Sequence, residues 1–130
     1  MNQPVKPEPD HKHSAMEFLR LAASVQVREA YRKYASPNFR HHNPYFQGDA
    51  QSLMAAMEEN AQKNPDKVLE IQRVLQDGDL VAIHSKVKLK PGDLGVAVVH
   101  IFRFEQGLIA ELWDIGQPVP ENSPNQCGMF

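Results

Sequence analysis

An α+β domain is predicted by the order of periodicities along the chain. Apolar residues recur at helical spacing in the first half, between Ser14 and Asn64. From Lys67 the pattern changes to strands joined by short turns, with Asp77-Gly78 and Gln106-Gly107 as hairpin signals. A length of 130 residues suits one domain, and 42% hydrophobic residues are enough to build its core.

Residues 1–13 are polar and rich in proline, and are expected to form a flexible arm rather than a secretory signal. Order is expected to begin at Ser14. Ser14-Ala-Met-Glu17 has the form of a capping box, in which hydroxyl and carboxylate satisfy free backbone N–H groups. Phe18, Leu21, Ala22 and Val25 follow at helical spacing, and Val27, Ala30, Tyr31 and Tyr34 continue it, with Ser24 placed to break the stretch in two. Ser36-Pro37-Asn38 ends the helix, because proline disfavours helical backbone in the residue before it. The next segment, FRHHNPYFQG over 39–48, reads as irregular. A further helix starts near Asp49 as N-cap, aligns Leu53, Met57 and Ala61, and stops at Asn64-Pro65-Asp66. Strands are predicted over 67–76, 80–89, 94–105 and 108–116, with Lys90-Pro91-Gly92-Asp93 as the middle turn. Residues 117–130 read as an extended tail. Its last residues, Met129 and Phe130, are apolar, so it is expected to pack over its own sheet or a dimer mate.

Several function classes are disfavoured. A net charge of -2 with scattered Lys and Arg gives no footprint for nucleic acid. No apolar run approaches the ~20 residues of a membrane span. The single cysteine, Cys127, cannot form an internal disulfide, which fits a reducing, cytoplasmic setting. His41 and His42 are neighbours and point apart on an extended chain, His11 and His13 fall in the expected arm, and no H-E-x-x-H or cysteine pair occurs; no metal site is expected. Nucleophile-elbow, phosphate-loop and dinucleotide motifs are also missing.

Alternation assigns faces. Val96, Val98, His100, Phe102 and Phe104 point one way in the third strand, and Ala110, Leu112 and Asp114 share a face in the fourth. His84 lies in the second strand with Leu80, Ala82 and Lys86 on its face. A carboxylate such as Asp114 in an apolar strand must find a cation or hydrogen bonds, or hold a proton. An Asp–His pair in a cavity is suited to acid–base chemistry. Equally open is a structural role, in which Asp114 caps a strand end or pairs with Arg103 or Lys86.

The stretches FRHHNPYFQG, HIFRFEQGLIAELWDIGQPVP and PNQCGMF resemble the SnoaL-like polyketide cyclases of the nuclear transport factor 2-like superfamily, over residues 14–130. That resemblance implies a cone-shaped, curved antiparallel sheet around a pocket closed by N-terminal helices, and a homodimer formed through the outer sheet face. It implies ring closure by aldol condensation without metal or organic cofactor, on a small or polycyclic carbonyl compound. The W-D aspartate, here Asp114, would be the acid/base, supported by a histidine of the neighbouring strand, here His100. His42 and Asn43 would orient a substrate oxygen at the pocket mouth, His84 would assist at the enolate, and Phe102 and Leu112 would line the substrate site. The same fold also serves other enzymes, and neither an Asp-Arg-Asp set nor a tyrosine placed opposite Asp114 is evident. The alternative is a non-catalytic module that binds hydrophobic ligands or dimerises.

Overall fold

The first helix is started by Asp10, whose side chain accepts the backbone N–H of His13 at 3.2 Å. Helix α1 (His11–Ala22) therefore contains Ser14 and Glu17 within it rather than as a cap. The reason lies in tertiary packing: the His11 ring stacks on Phe104 at 4.3 Å, so the extra turn is held against the sheet. This computed structural model describes residues 10–130; the rest of the expected arm lies outside the described residues. The chain turns after α1 where Ser24 donates to the carbonyl of Leu21 and accepts from the N–H of Gln26. Helix α2 (Val27–Tyr34) then runs directly into strand β1 (Ala35–His41).

Strand β1 is a departure from the expected loop. It pairs in parallel with the last strand at one edge of the sheet. Pro37 is compatible with that position because an edge strand has one side free of ladder bonds. Helix α3 (Ala50–Lys63) follows, capped as expected by Asp49, which accepts from Ser52. The remaining strands are β2 (Val68–Asp77), β3 (Leu80–Lys88), β4 (Val96–Glu105) and β5 (Leu108–Pro118). They form an antiparallel meander, so the five-stranded sheet is mixed, in the order β1-β5-β4-β3-β2.

The tight turns obey their backbone requirements. Gln106 and Gly107 both have positive φ, 52° and 80°, as a two-residue type I′ turn demands. In the β2–β3 hairpin the turn residues are Gly78 and Asp79, one position later than the sequence signal, with Gly78 at φ 60°.

Two bulges curve the sheet and shift its faces. In β5 an extra residue, Ala110, lies between the pairs Arg103–Glu111 and Phe104–Ile109. It turns Ile109, not Ala110, into the core with Leu112. In β2 the extra residue is Gln72, between Ile71–Ser85 and Arg73–His84. The helices cover the concave face, and Phe18 at the centre meets Tyr31 and Phe102 edge-on at 5.2 and 5.9 Å. The tail returns to the opposite, outer face: Phe130 stacks on His84 at 5.7 Å and lies under the Lys86 ammonium at 5.0 Å. Among the described residues, no helix is long and apolar enough to cross a membrane.

Candidate active site

A cavity of about 330 Å³ lies between the inner face of the sheet, helices α1 and α3, and the loop after β1. That is at the low end of the ~300–1,000 Å³ found for small-molecule pockets. Its walls are largely aliphatic, from Leu19, Leu53, Met57, Leu69 and Val98 among others. Five polar residues interrupt them: Asn43, Asn60, Lys67, His100 and Asp114.

Asp114 of β5 and His100 of β4 are direct cross-strand partners. Asp114 is half-buried, and its Oδ2 accepts from Nδ2 of Asn43 at 2.9 Å. The orientation of that amide is fixed, because its Oδ1 accepts the N–H of Tyr45 at 3.0 Å. The backbone N–H of Asn43 in turn donates to Nδ1 of His41 at 3.1 Å. Nδ1 must then be the acceptor, which leaves the proton on Nε2, directed at the Gln47 carbonyl 2.5 Å away. His41, buried at 5% exposure, thus locks the loop that brings Asn43 to Asp114.

The His100 ring borders the cavity, but its Nδ1 is sealed from solvent and has no hydrogen-bond partner among the described residues. Burial pushes its pKa down to about 4; the charge of Asp114 acts against that shift and Lys67 adds to it. At neutral pH His100 is an uncharged imidazole beside a carboxylate.

Four of the expected site residues are elsewhere. His84 pairs with Val99, so the β3–β4 register turns it to the outer face, where it meets Arg73 and Phe130. His42 points away from its neighbour His41 and stacks on Trp113 at 4.9 Å. Its Nε2 donates to Glu111 Oε2 at 2.5 Å. Phe102 and Leu112 do face inward, but both are packed in the core, 0% and 1% exposed, and do not line the cavity. Asp114 pairs with neither Arg103 nor Lys86; Arg103 is bound to Glu111 and Glu105.

Glu111 anchors an outer-face network, taking Arg40 at 3.1 Å and Arg103 at 3.0 Å besides His42. The hydrogen bond from His42, then those from Arg40 and Arg103, hold its carboxyl at about 2 against the opposing effect of desolvation.

Two residues went unrecognised in the sequence. Lys67 enters the cavity and donates to Oδ1 of Asn60 at 2.7 Å. Its signal was the i, i+2, i+4 alignment with Leu69 and Ile71, both packed on the core. Tyr31 is buried beside α3, donating to Met57 Sδ at 3.4 Å, and its hydroxyl pKa is raised by burial and then by the charge of Asp114. Among the described residues, no three His, Cys, Asp or Glu side chains converge as metal ligands.

The family model described as "SnoaL-like domain" matches residues 17–112. The fold is shared with an NTF2-like protein of unknown function from Cytophaga hutchinsonii, at TM-score 0.67 and 18% identity, covering 88% of this chain and 96% of that one. A candidate polyketide cyclase from Acidithiobacillus ferrooxidans matches at TM-score 0.67 and 18% identity, over 87% and 92% of the two chains. A candidate isomerase of the SnoaL-like family from Agrobacterium tumefaciens matches at TM-score 0.67 and 14% identity, over 82% and 97%. No curated protein matches the sequence significantly.

Proposed function

The chain belongs to the SnoaL-like family, and on that premise we propose that it is an acid–base enzyme of the aldol-cyclase or related lyase/isomerase type, acting without a cofactor on a carbonyl compound. The observation that carries this reading is the Asp114 carboxylate in an aliphatic cavity, opposite a neutral His100 and held by Asn43. In an aldol closure Asp114 removes the proton next to the substrate carbonyl, and the resulting enolate attacks a second carbonyl carbon. The new alkoxide then takes the proton back, so one carboxylate serves as base and acid in turn. His100, uncharged, is suited to donate an imidazole N–H to the oxygen on which negative charge develops. Asn43 is a positioning residue that aims the carboxylate. The neighbours named candidate cyclase and candidate isomerase are consistent with this chemistry.

A cytoplasmic location and a homodimer belong to the same reading. The outer sheet face offers Ala97, Val99 and Ile115, the last 63% exposed, as apolar surface for a second copy. The competing reading, a hydrophobic-ligand binder, is favoured by the aliphatic walls alone.

Turnover of a carbonyl-compound panel by wild type and Asp114→Asn separates the two. The variant is expected to keep its circular dichroism and thermal midpoint while losing roughly 10²–10⁴-fold in rate, the usual size of a general acid–base contribution. Undiminished turnover in the variant would overturn the enzymatic assignment to Asp114. Ligands bound by wild type but never transformed would favour the binding module.

A further inference from the structure

The cavity has polar groups at two separated places. Asp114 and Asn43 come from β5 and the loop after β1, whereas Lys67 and Asn60 come from the residue just before β2 and the last turns of α3. Strands β4 and β3 lie between β5 and β2, so the two places stand at opposite sides of the one cavity. His100 sits between them on β4 and feels both, the charge of Asp114 and that of Lys67 acting on it in opposite directions.

Lys67 is not explained by the fold alone. Its ammonium makes one hydrogen bond, to the neutral amide of Asn60 at 2.7 Å, out of the three it can donate. Among the described residues no carboxylate lies within ion-pair distance of it, although Lys63 close by has Glu59 at 2.7 Å. Partial burial lowers its pKa, the mark of a cation short of solvent and of a counter-charge. A cation so placed in an aliphatic pocket, with two donors that no described residue engages, is completed by an anion arriving with the ligand.

We propose that the cavity takes a carbonyl compound that also bears a carboxylate, its anionic end held by Lys67 and Asn60 and its carbonyl end presented to Asp114. This rests on the acid–base reading above and adds the substrate class. Two polar places at opposite sides of an aliphatic cavity call for a ligand whose carboxylate and carbonyl are separated by an apolar spacer. A neutral analogue would fill the same walls and leave the ammonium unpaired.

The test is binding measured by calorimetry with a matched pair, 4-oxo-4-phenylbutanoate and its methyl ester, on wild type and Lys67→Met. Wild type is expected to bind the acid about tenfold more tightly than the ester, as for one charge-assisted hydrogen-bonded pair. Lys67→Met should lose that preference while keeping the ester's affinity, which also shows that the variant pocket is folded. Asp114→Asn should retain the preference, since the anionic end is remote from it. Equal affinity of acid and ester in wild type, or a preference surviving in Lys67→Met, overturns the acidic-ligand inference and leaves the assignment of Asp114 standing. Failure of both compounds to bind overturns it too. Loss of the Asp114 assignment is read separately, from turnover.

Discussion

Replacing His100 by leucine isolates the cost of keeping one imidazole uncharged inside the fold. In the native state His100 titrates at about 4, whereas the unfolded chain returns it to 6.5. Between those values the unfolded state binds a proton that the native state does not, so acid favours unfolding. The stability in question is complete above pH 6.5, declines as pH falls, and declines no further below about pH 4. At pH 5 the full shift corresponds to about 2 kcal/mol. One side of the ring borders the cavity, where water softens the penalty, so ~1–2 kcal/mol is the working figure. Urea unfolding of both proteins at pH 7 and pH 5 measures it. Wild type should lose that much more than His100→Leu over the interval, because every other titrating group is common to both. At pH 7 the variant should equal or slightly exceed wild type, since it removes a buried Nδ1 that has no partner. Parallel losses in the two proteins would refute a buried, neutral His100.

Glu111→Gln should cost ~1–2 kcal/mol at pH 7 by urea unfolding. The charge that gathers His42, Arg40 and Arg103 is lost, but Arg40 is 65% exposed and recovers hydration. Because the Glu111 carboxyl is held near 2, its contribution is present above about pH 4.5 and is lost as pH falls through 2, a window lower than that of His100; a wild-type and variant difference that vanished already at pH 6 would contradict the network. Deleting residues 122–130 removes the contacts of Phe130 with His84 and Lys86 and should lower stability by about 1 kcal/mol; an unchanged thermal midpoint and oligomeric state would show that the tail is idle.

The parts of the fold that depend on neighbours in sequence were legible. Asp49 as a cap, the α3 stripe and the Gln106-Gly107 turn are local, and each was readable from residue type and spacing. Strand β1 was not, because its partner β5 is distant in the chain and Ser36-Pro37 has the composition of a breaker. Bulges at Gln72 and Ala110 reverse the alternation that assigns faces, and no residue there announces them. The site followed the same division. Asp114 and His100 became partners only through the Ala110 bulge: the register set by the two-residue turn would place Val99 opposite Asp114, and the extra residue moves His100 there. His84 was misplaced because the loop of residues 89–95 follows no turn rule that sets the β3–β4 register. With His41 and His42, alternation required opposite directions, but only packing decided which one turned inward. Phe102 and Leu112 were given the right face and the wrong depth: helix α1, through Phe18, covers Phe102. Lys67 was placed in the predicted strand with the parity of Leu69, but a lysine at a strand's first position reads as solvent-facing, and only the packing of α3 against it encloses it.

The His41-locked loop bears on stereochemistry. With the amide of Asn43 unable to flip, Oδ2 of Asp114 is occupied from one side, and Oδ1 takes no hydrogen bond from any described residue. Under the proposed chemistry, a base with a single unengaged oxygen approaches a bound ligand from one direction. For a prochiral carbon held against the sheet, the two hydrogens are then no longer equivalent, and exchange with deuterated solvent would label one of them in preference to the other.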